Sequence, residues 1–179
     1  MIFYNDLPEI IYYNDEPAYQ SKYYGYYATK SGKCITVKVK GGQGSIDINN
    51  PREHCYKIDK DGYKELCLSE TSNGVFKRYY RRLHRFVYET IEGDIPDELT
   101  VDHKNMNKQK NNIENLRLLT REENTSIARK AKLNKYVLFN GNSCIGIVNR
   151  TELEYIIGID LYLLNSSNSY GVFNWSLLG

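Results

Sequence analysis

The alternation of apolar and polar side chains predicts β structure in the first eighty residues. ITVKVK (35–40) alternates apolar and basic side chains, which is typical of a half-exposed strand. YKELCL (63–68) and VFKRYY (75–80) flank a loop that ends in an Asn-Gly pair, a strong hairpin signal. We therefore predict an N-terminal antiparallel β-sheet within residues 1–80.

From residue 81 the apolar spacing becomes helical. Apolar side chains of 81–91 recur on one side of a helix, and GDIPDE (93–98) ends that helix in a loop. A strand then leads into Asp102-His103, where it must end or bend if both side chains are to reach one centre, because neighbouring strand residues face opposite sides. The polar stretch 104–112 is predicted to be a loop, and 113–119 a second strand or extended segment.

A helix is predicted from about Arg121 to Lys132, because Thr120 and Glu123 have the spacing of a capping box. Beyond it, residues 136–148 indicate a small hairpin. Two short helices within 151–167, separated at a glycine, and an extended piece over 170–178 complete the chain. The fold class is α+β, in three regions: 1–80, 81–133 and 134–179.

Charge is unevenly distributed, although the net charge of the 179 residues is only +2. KRYYRRLHR (77–85) has five Lys or Arg side chains and no acid, and residues 101–135 have nine against four acids. The segment from 140 onward has one Arg against three acids. A positive field over the middle of the chain suits a polyanion such as double-stranded DNA.

Several classes of protein are disfavoured. The four cysteines form no C-x-x-C pair, so no structural zinc is expected. No stretch approaches eighteen consecutive apolar residues, and MIFYNDLPEI has no basic segment of a secretory signal. We expect a cytoplasmic protein without a membrane partner, and a monomer, since no dimerisation stripe is evident.

The candidate chemistry lies in TVDHKNMNKQKNNIENLRLLTREENT (100–125). His103 is a candidate general base, since its unperturbed pKa of roughly 6.5 is close to working pH. Asp102 and Asn124 offer hard oxygen ligands that suit one Mg²⁺ or Mn²⁺ ion. Phosphodiester hydrolysis needs this combination of an activated water and charge stabilisation on the phosphate.

The VDH, NN, ENLR and T-x-x-x-N elements together resemble the core of the HNH endonucleases, in particular the small phage and intron-encoded homing and nicking enzymes. The resemblance implies a central ββα-metal (His-Me finger) motif. It implies Asp102 and Asn124 as metal ligands, His103 as base, and Asn115 as the asparagine that orients the histidine. It further implies that the N-terminal sheet binds DNA and that the chain ends in a small helix-turn-helix-like module, although such modules are generally basic and this segment is acidic.

The predicted phosphate contacts are basic side chains near the motif and in the run before it: Lys104, Lys108, Lys110, Arg117, Arg121, Lys77, Arg78, Arg81, Arg82, His84 and Arg85. For His84, packing beneath the site is an alternative to touching a phosphate. Asn105 stands where the related enzymes often have an aspartate, and it is not predicted to be a ligand.

These features predict a metal-dependent HNH DNA endonuclease of the phage homing type that nicks one strand, acting in the cytoplasm of an infected or host cell. The main alternative is a non-catalytic DNA-binding regulator that retains the HNH fold. A third is a nonspecific nuclease of the toxin or restriction kind, which would need neither of the flanking regions.

Overall fold

The chain is rich in strands and has few helices. The computed structural model describes residues 7–40, 45–72, 75–133, 135–158, 169–170 and 173–178. It divides into two compact units, Met1–Leu118 and Leu119–Gly179. The mixed α and β class expected from the sequence is therefore found.

Two antiparallel sheets begin the first unit. The first has its strands in chain order: β1 (Ile10–Tyr13), β2 (Glu16–Gln20), β3 (Tyr26–Thr29), β4 (Cys34–Thr36) and β5 (Arg52–Glu53). The second also follows chain order: β6 (Tyr56–Ile58), β7 (Lys64–Ser72) and β8 (Val75–Arg82).

Strands β3 and β4 of the first sheet are buried on both faces, which corrects the strand predicted over 35–40. The observed strand β4 ends at Thr36, and Ile35, Thr36 and Val37 are all buried instead of alternating with solvent. Ala28 and Cys34 pack into one apolar cluster, while Ile35 and Val37 pack into another. Alternating apolar and polar residues indicate a strand with one solvent-exposed face only where no second layer of the protein packs on that face.

The rest of the first unit leads to the motif. Helix α1 (Leu83–Ile91) begins two residues later than predicted, and strand β9 (Leu99–His103) follows the loop after it. A short 3-10 helix (Ile113–Asn115) precedes β10 (Leu116–Thr120), which pairs with β9 in a two-stranded sheet.

Residues before and after position 80 in the chain pack into one apolar core. Leu83, Phe86 and Val87 of α1 pack with Leu66 and Leu68 of β7 in the same buried cluster. The predicted regions 1–80 and 81–133 therefore share a core. Because α1 and β7 support the residues around β9, the sheets help to position the motif.

The first helix of the second unit is α2 (Arg121–Leu133). Its sheet is antiparallel, in the spatial order β12, β11, β14, β13, with bounds β11 (Lys135–Asn140), β12 (Ser143–Asn149), β13 (Ser169–Tyr170) and β14 (Phe173–Leu178). Helix α3 (Arg150–Ile157) contributes Leu153 to a small core with Leu138 and Trp175.

The predicted hairpin at 136–148 is confirmed by β11 and β12. Of the two helices predicted within 151–167, the first is α3, and Gly158 ends it with a left-handed backbone, φ 69°. The second falls within residues 159–167, outside the described part of the chain. The helix-turn-helix-like module therefore stays a prediction. Among the described helices, none combines the length and apolarity that a membrane crossing requires.

Candidate active site

Strand β9 presents Asp102 and His103 at its last two positions. Val101 and His103 are buried, while Asp102 between them is half-buried. The chain then turns, because the Met106 amide donates to the His103 carbonyl at 2.8 Å and Met106 has φ 63°. The strand thus ends at His103, as two neighbouring active groups require.

The imidazole of His103 is held from one side. Its Nε2 lies 3.1 Å from Oδ1 of Asn111, and His103 is only 3% exposed. Burial lowers the pKa of His103, and this outweighs the hydrogen bond to Asn111 and the carboxylate of Asp102, which both act in the opposite sense. The ring is therefore neutral near pH 7, the state in which it can accept a proton.

Asn115 makes different contacts from the one that the family resemblance implies. Its Oδ1 accepts from the Asn105 amide at 3.1 Å, and its Nδ2 donates to Asn105 Oδ1 at 3.0 Å and to the Lys110 carbonyl at 2.7 Å. These bonds hold the loop after β9 together from within. The direct contact to the His103 ring is made by Asn111.

Two aromatic rings lie beneath the base. The His84 ring centroid is 4.9 Å from that of His103, in an edge arrangement, and Tyr63 is 5.0 Å from His84 and 6.0 Å from His103. Burial, followed by the neighbouring His103, lowers the pKa of His84 to about 3. At 6% exposure, His84 packs beneath the site, the alternative to its predicted phosphate contact.

Asp102 forms an ion pair with Arg117 of β10. Arg117 Nε and Nη2 each lie 2.9 Å from Asp102 Oδ2. Both contacts end on one oxygen, so this pair does not engage Oδ1. The carboxylate thus keeps a hard donor atom of the kind that Mg²⁺ and Mn²⁺ prefer.

The second predicted metal ligand, Asn124, lies half-buried in the first turns of α2. The predicted capping box precedes it: the Thr120 amide donates to Glu123 Oε2 at 2.8 Å, and the Glu123 amide donates to Thr120 Oγ1 at 3.2 Å. Within the described residues no three His, Cys, Asp or Glu side chains cluster as metal ligands. A site built on one Asp and one Asn does not need such a cluster, and its ligands stay a prediction.

Several of the predicted phosphate contacts are engaged within the protein. Arg82 pairs with Asp59 and Asp61, and Arg85 pairs with Glu89. Other cations donate to nearby groups: Lys104 to the Glu114 carbonyl, Lys108 to the Asp61 carbonyl and Arg81 to the Tyr23 hydroxyl. Lys110 is half-buried in the loop, while Lys77, Arg78 and Arg121 are exposed.

A groove of about 510 Å³ is lined by residues of β8, α1 and β9 and reaches His84, which packs against His103. Its lining includes Lys22 and four of the predicted contacts: Arg81, Arg82, His84 and Arg85. Cations therefore outnumber acids along it, since Glu89 is the one carboxylate in its lining. An anionic backbone fits such a groove better than a neutral ligand.

Sequence reasoning missed three contributors to this site. Tyr63 gave no signal beyond strand propensity, and Asn111 was noted only as part of the NN pair. Gly32 was not singled out, yet a Cβ placed on it would lie 2.4 Å from the backbone carbon of Asn111. The one hint in the sequence was the Ser31-Gly32 dipeptide, a common turn signal, and Gly32 does adopt a positive φ of +91° there.

Comparison with known proteins agrees with the motif. Residues 81–126 match the family model described as HNH endonuclease. The chain therefore carries an HNH endonuclease segment, and the resemblance drawn from its sequence is confirmed there. A curated relative, an uncharacterized HNH endonuclease of Acanthamoeba polyphaga mimivirus, is 49% identical over 45 residues, which are 25% of this chain and 24% of the relative.

The matched stretch thus spans about a quarter of that relative's length. A solved structure on DNA binding and cleavage by the HNH homing endonuclease I-HmuI covers 86% of this chain and 91% of its own, with 18% identity and a TM-score of 0.39. No conclusion about fold or activity follows from a similarity this low.

Proposed function

We propose that this protein is a metal-dependent HNH DNA endonuclease of the phage homing type that nicks one strand of double-stranded DNA. The observation that carries the proposal is the buried, neutral imidazole of His103 at the end of β9, adjacent to Asp102 and inside the segment that matches the HNH endonuclease family. The cationic groove that reaches His84 and Val101 supports a phosphodiester substrate.

His103 would take a proton from a water molecule as that water attacks the scissile phosphorus. The new bond forms between the water oxygen and phosphorus, and the bond from phosphorus to the 3′ oxygen breaks. The departing 3′ oxygen takes a proton from solvent, which leaves a 5′-phosphate and a 3′-hydroxyl. The lowered pKa of His103 keeps the ring ready to accept at neutral pH.

Asp102 and Asn124 would hold one Mg²⁺ or Mn²⁺ ion, the ligand pair that the motif predicts. When bound, such an ion stabilises the negative charge that develops on the phosphate and on the leaving oxygen. Arg117 would fix the orientation of the Asp102 carboxylate through its two contacts to Oδ2.

The test is cleavage of supercoiled plasmid and of phage genomic DNA with Mg²⁺, with Mn²⁺ and with a chelator. We expect metal-dependent conversion of supercoiled plasmid to open circle, and nicks in the genomic DNA at one place rather than many. In His103→Ala the rate should fall by about 10²–10⁴-fold, the usual contribution of a general base.

His54→Ala is the matched control, because His54 lies between β5 and β6 and packs against Tyr26 of β3. It should cut at the wild-type rate. Wild-type cleavage by His103→Ala would refute the assignment of the base. Salt-sensitive DNA binding without cleavage under any metal would instead favour the regulator alternative.

A further inference from the structure

We propose that Asn111 is the positioning residue for His103, and that it fixes the imidazole with its proton on Nε2, so that Nδ1 is the atom that accepts the proton from water. The assignment of a catalytic atom rests on the proposed nuclease function. The orientation of the ring rests on geometry alone.

The orientation follows from the two ends of the Asn111 side chain. Its Nδ2 donates to the Gln109 carbonyl at 3.0 Å, and its Oδ1 faces His103 Nε2 at 3.1 Å. A carbonyl can only accept, so the amide cannot be turned over without placing two acceptors against each other. Since Oδ1 must accept from the ring, Nε2 of the neutral imidazole carries the hydrogen and Nδ1 keeps the lone pair.

The turn between β6 and β7 holds Asn111 from one direction. Gln109 Nε2 donates to the Gly62 carbonyl at 2.6 Å, and Lys108 Nζ donates to the Asp61 carbonyl at 2.7 Å. The Lys108 ammonium also lies 4.6 Å from the centre of the Tyr63 ring. A continuous path of hydrogen bonds therefore runs from Gly62 through Gln109 and Asn111 to the base.

The turn between β3 and β4 holds it from a second direction. The Ile113 amide donates to the Lys30 carbonyl at 2.9 Å. Gly32 approaches so closely that a Cβ there would lie 2.4 Å from the Asn111 backbone carbon and 2.6 Å from the Asn112 nitrogen. Asn111 is 4% exposed between these contacts, so its side chain has little freedom to turn away.

The first test is the tautomer of His103 in the wild-type protein, read from its imidazole nitrogen chemical shifts at a pH of about 8, where imidazole is neutral. The chain has 3 histidines, and the signals of His103 are those missing in His103→Ala. We expect a protonated Nε2 and an unprotonated Nδ1. The opposite tautomer would overturn the proposal, whether or not the protein cleaves DNA.

Two variants separate positioning from structure. Asn111→Leu removes both hydrogen-bonding atoms at similar volume, and the preference for the Nε2 proton should be lost. Asn111→Asp keeps an oxygen acceptor for Nε2 but loses the donor to the Gln109 carbonyl, so the preference should remain with a weaker hold on the side chain. If Asn111→Leu does not fold, Asn111→Asp and the wild-type measurement still decide the assignment. An unchanged tautomer in folded Asn111→Leu contradicts the proposal.

Cleavage gives the second readout. In Asn111→Leu the single-turnover rate at saturating enzyme should fall by about 10²-fold, the usual effect of a misplaced catalytic group, while the Kd for DNA stays within about twofold. Asn111→Asp should recover part of that rate, because it restores the acceptor for Nε2 but not the bond to the Gln109 carbonyl. A loss confined to DNA affinity would make Asn111 a binding residue and overturn the positioning role. Absence of cleavage by the wild type would count against the proposed function, and the tautomer would still test the positioning.

Discussion

The loop after β9 and the start of α2 are both polar stretches of the motif, yet they are held in different ways. At α2 the partners are three residues apart, because Thr120 and Glu123 bond each other. In the loop, Gln109 reaches the Gly62 carbonyl across 47 positions of sequence. The helix start is thus a local structure, whereas the loop that orients His103 depends on turns far away in the chain.

The largest effect is expected from Gly32→Ala. The added Cβ would meet the backbone of Asn111 at 2.4 Å, and the residue would keep an unfavourable φ near +91°. Overpacking against a rigid backbone costs about 1–3 kcal/mol, and the left-handed conformation costs about 1–2 kcal/mol more. Denaturant unfolding should therefore show a loss of about 2–5 kcal/mol, together with slower DNA cleavage.

Gly93→Ala is the control for that experiment. Gly93 has φ +101°, and a Cβ there would meet nothing within 4 Å. The variant should lose about 1–2 kcal/mol, the backbone cost alone, and cut DNA at the wild-type rate. Equal losses of stability in the two variants would show that the contact between Gly32 and Asn111 does not constrain the loop.

A smaller effect is expected from His84, which packs beneath the loop and makes the free energy of unfolding depend on pH. The pKa of His84 is lowered to about 3 in the folded chain, against roughly 6.5 when unfolded. Between these values the unfolded chain binds the extra proton, so the free energy of unfolding falls as pH falls from about 6.5 toward 3. The slope from this residue is at most about 1.4 kcal/mol per pH unit.

His84→Phe should remove that share of the slope, because the ring that replaces the imidazole does not titrate. Denaturant unfolding at a series of pH values measures the difference between wild type and variant. Above about pH 7 this difference should be constant, which serves as an internal control. A wild-type slope that persists in the variant would mean that other groups dominate the response to acid.

These contrasts explain what the sequence could predict. Helix α1, the hairpin of β11 and β12, and the capping box all depend on neighbours within a few residues, and each was found where a local pattern placed it. The strand predicted over 35–40 was wrong in extent and exposure, because a second apolar layer covers it. No local pattern contains the position of that layer.

The candidate site shows the same limit. Asp102 and His103 were placed at the end of a strand by the sequence, and the structure ends β9 there. The partner of the imidazole was not predictable, because Asn111 lies in the polar loop after β9 and Asn115 lies just beyond that loop, so either could reach the ring. Contacts from Gly32 and Gly62, distant in sequence, settle which asparagine does so.

The smallest effect is expected at the start of α2, where the stabilising contacts are local in sequence. Thr120→Ala removes the hydroxyl that accepts from the Glu123 amide, and loss of such a cap costs about 1 kcal/mol. Thr125→Ala is a matched control in the same helix, since its exposed hydroxyl only donates back to the Arg121 carbonyl, a bond that adds little to helix stability. Thermal or denaturant unfolding should rank Thr120→Ala below Thr125→Ala, with the His103 tautomer unchanged in both. A shifted tautomer in Thr120→Ala would mean that the helix start also controls the base, and that the two kinds of support are not independent.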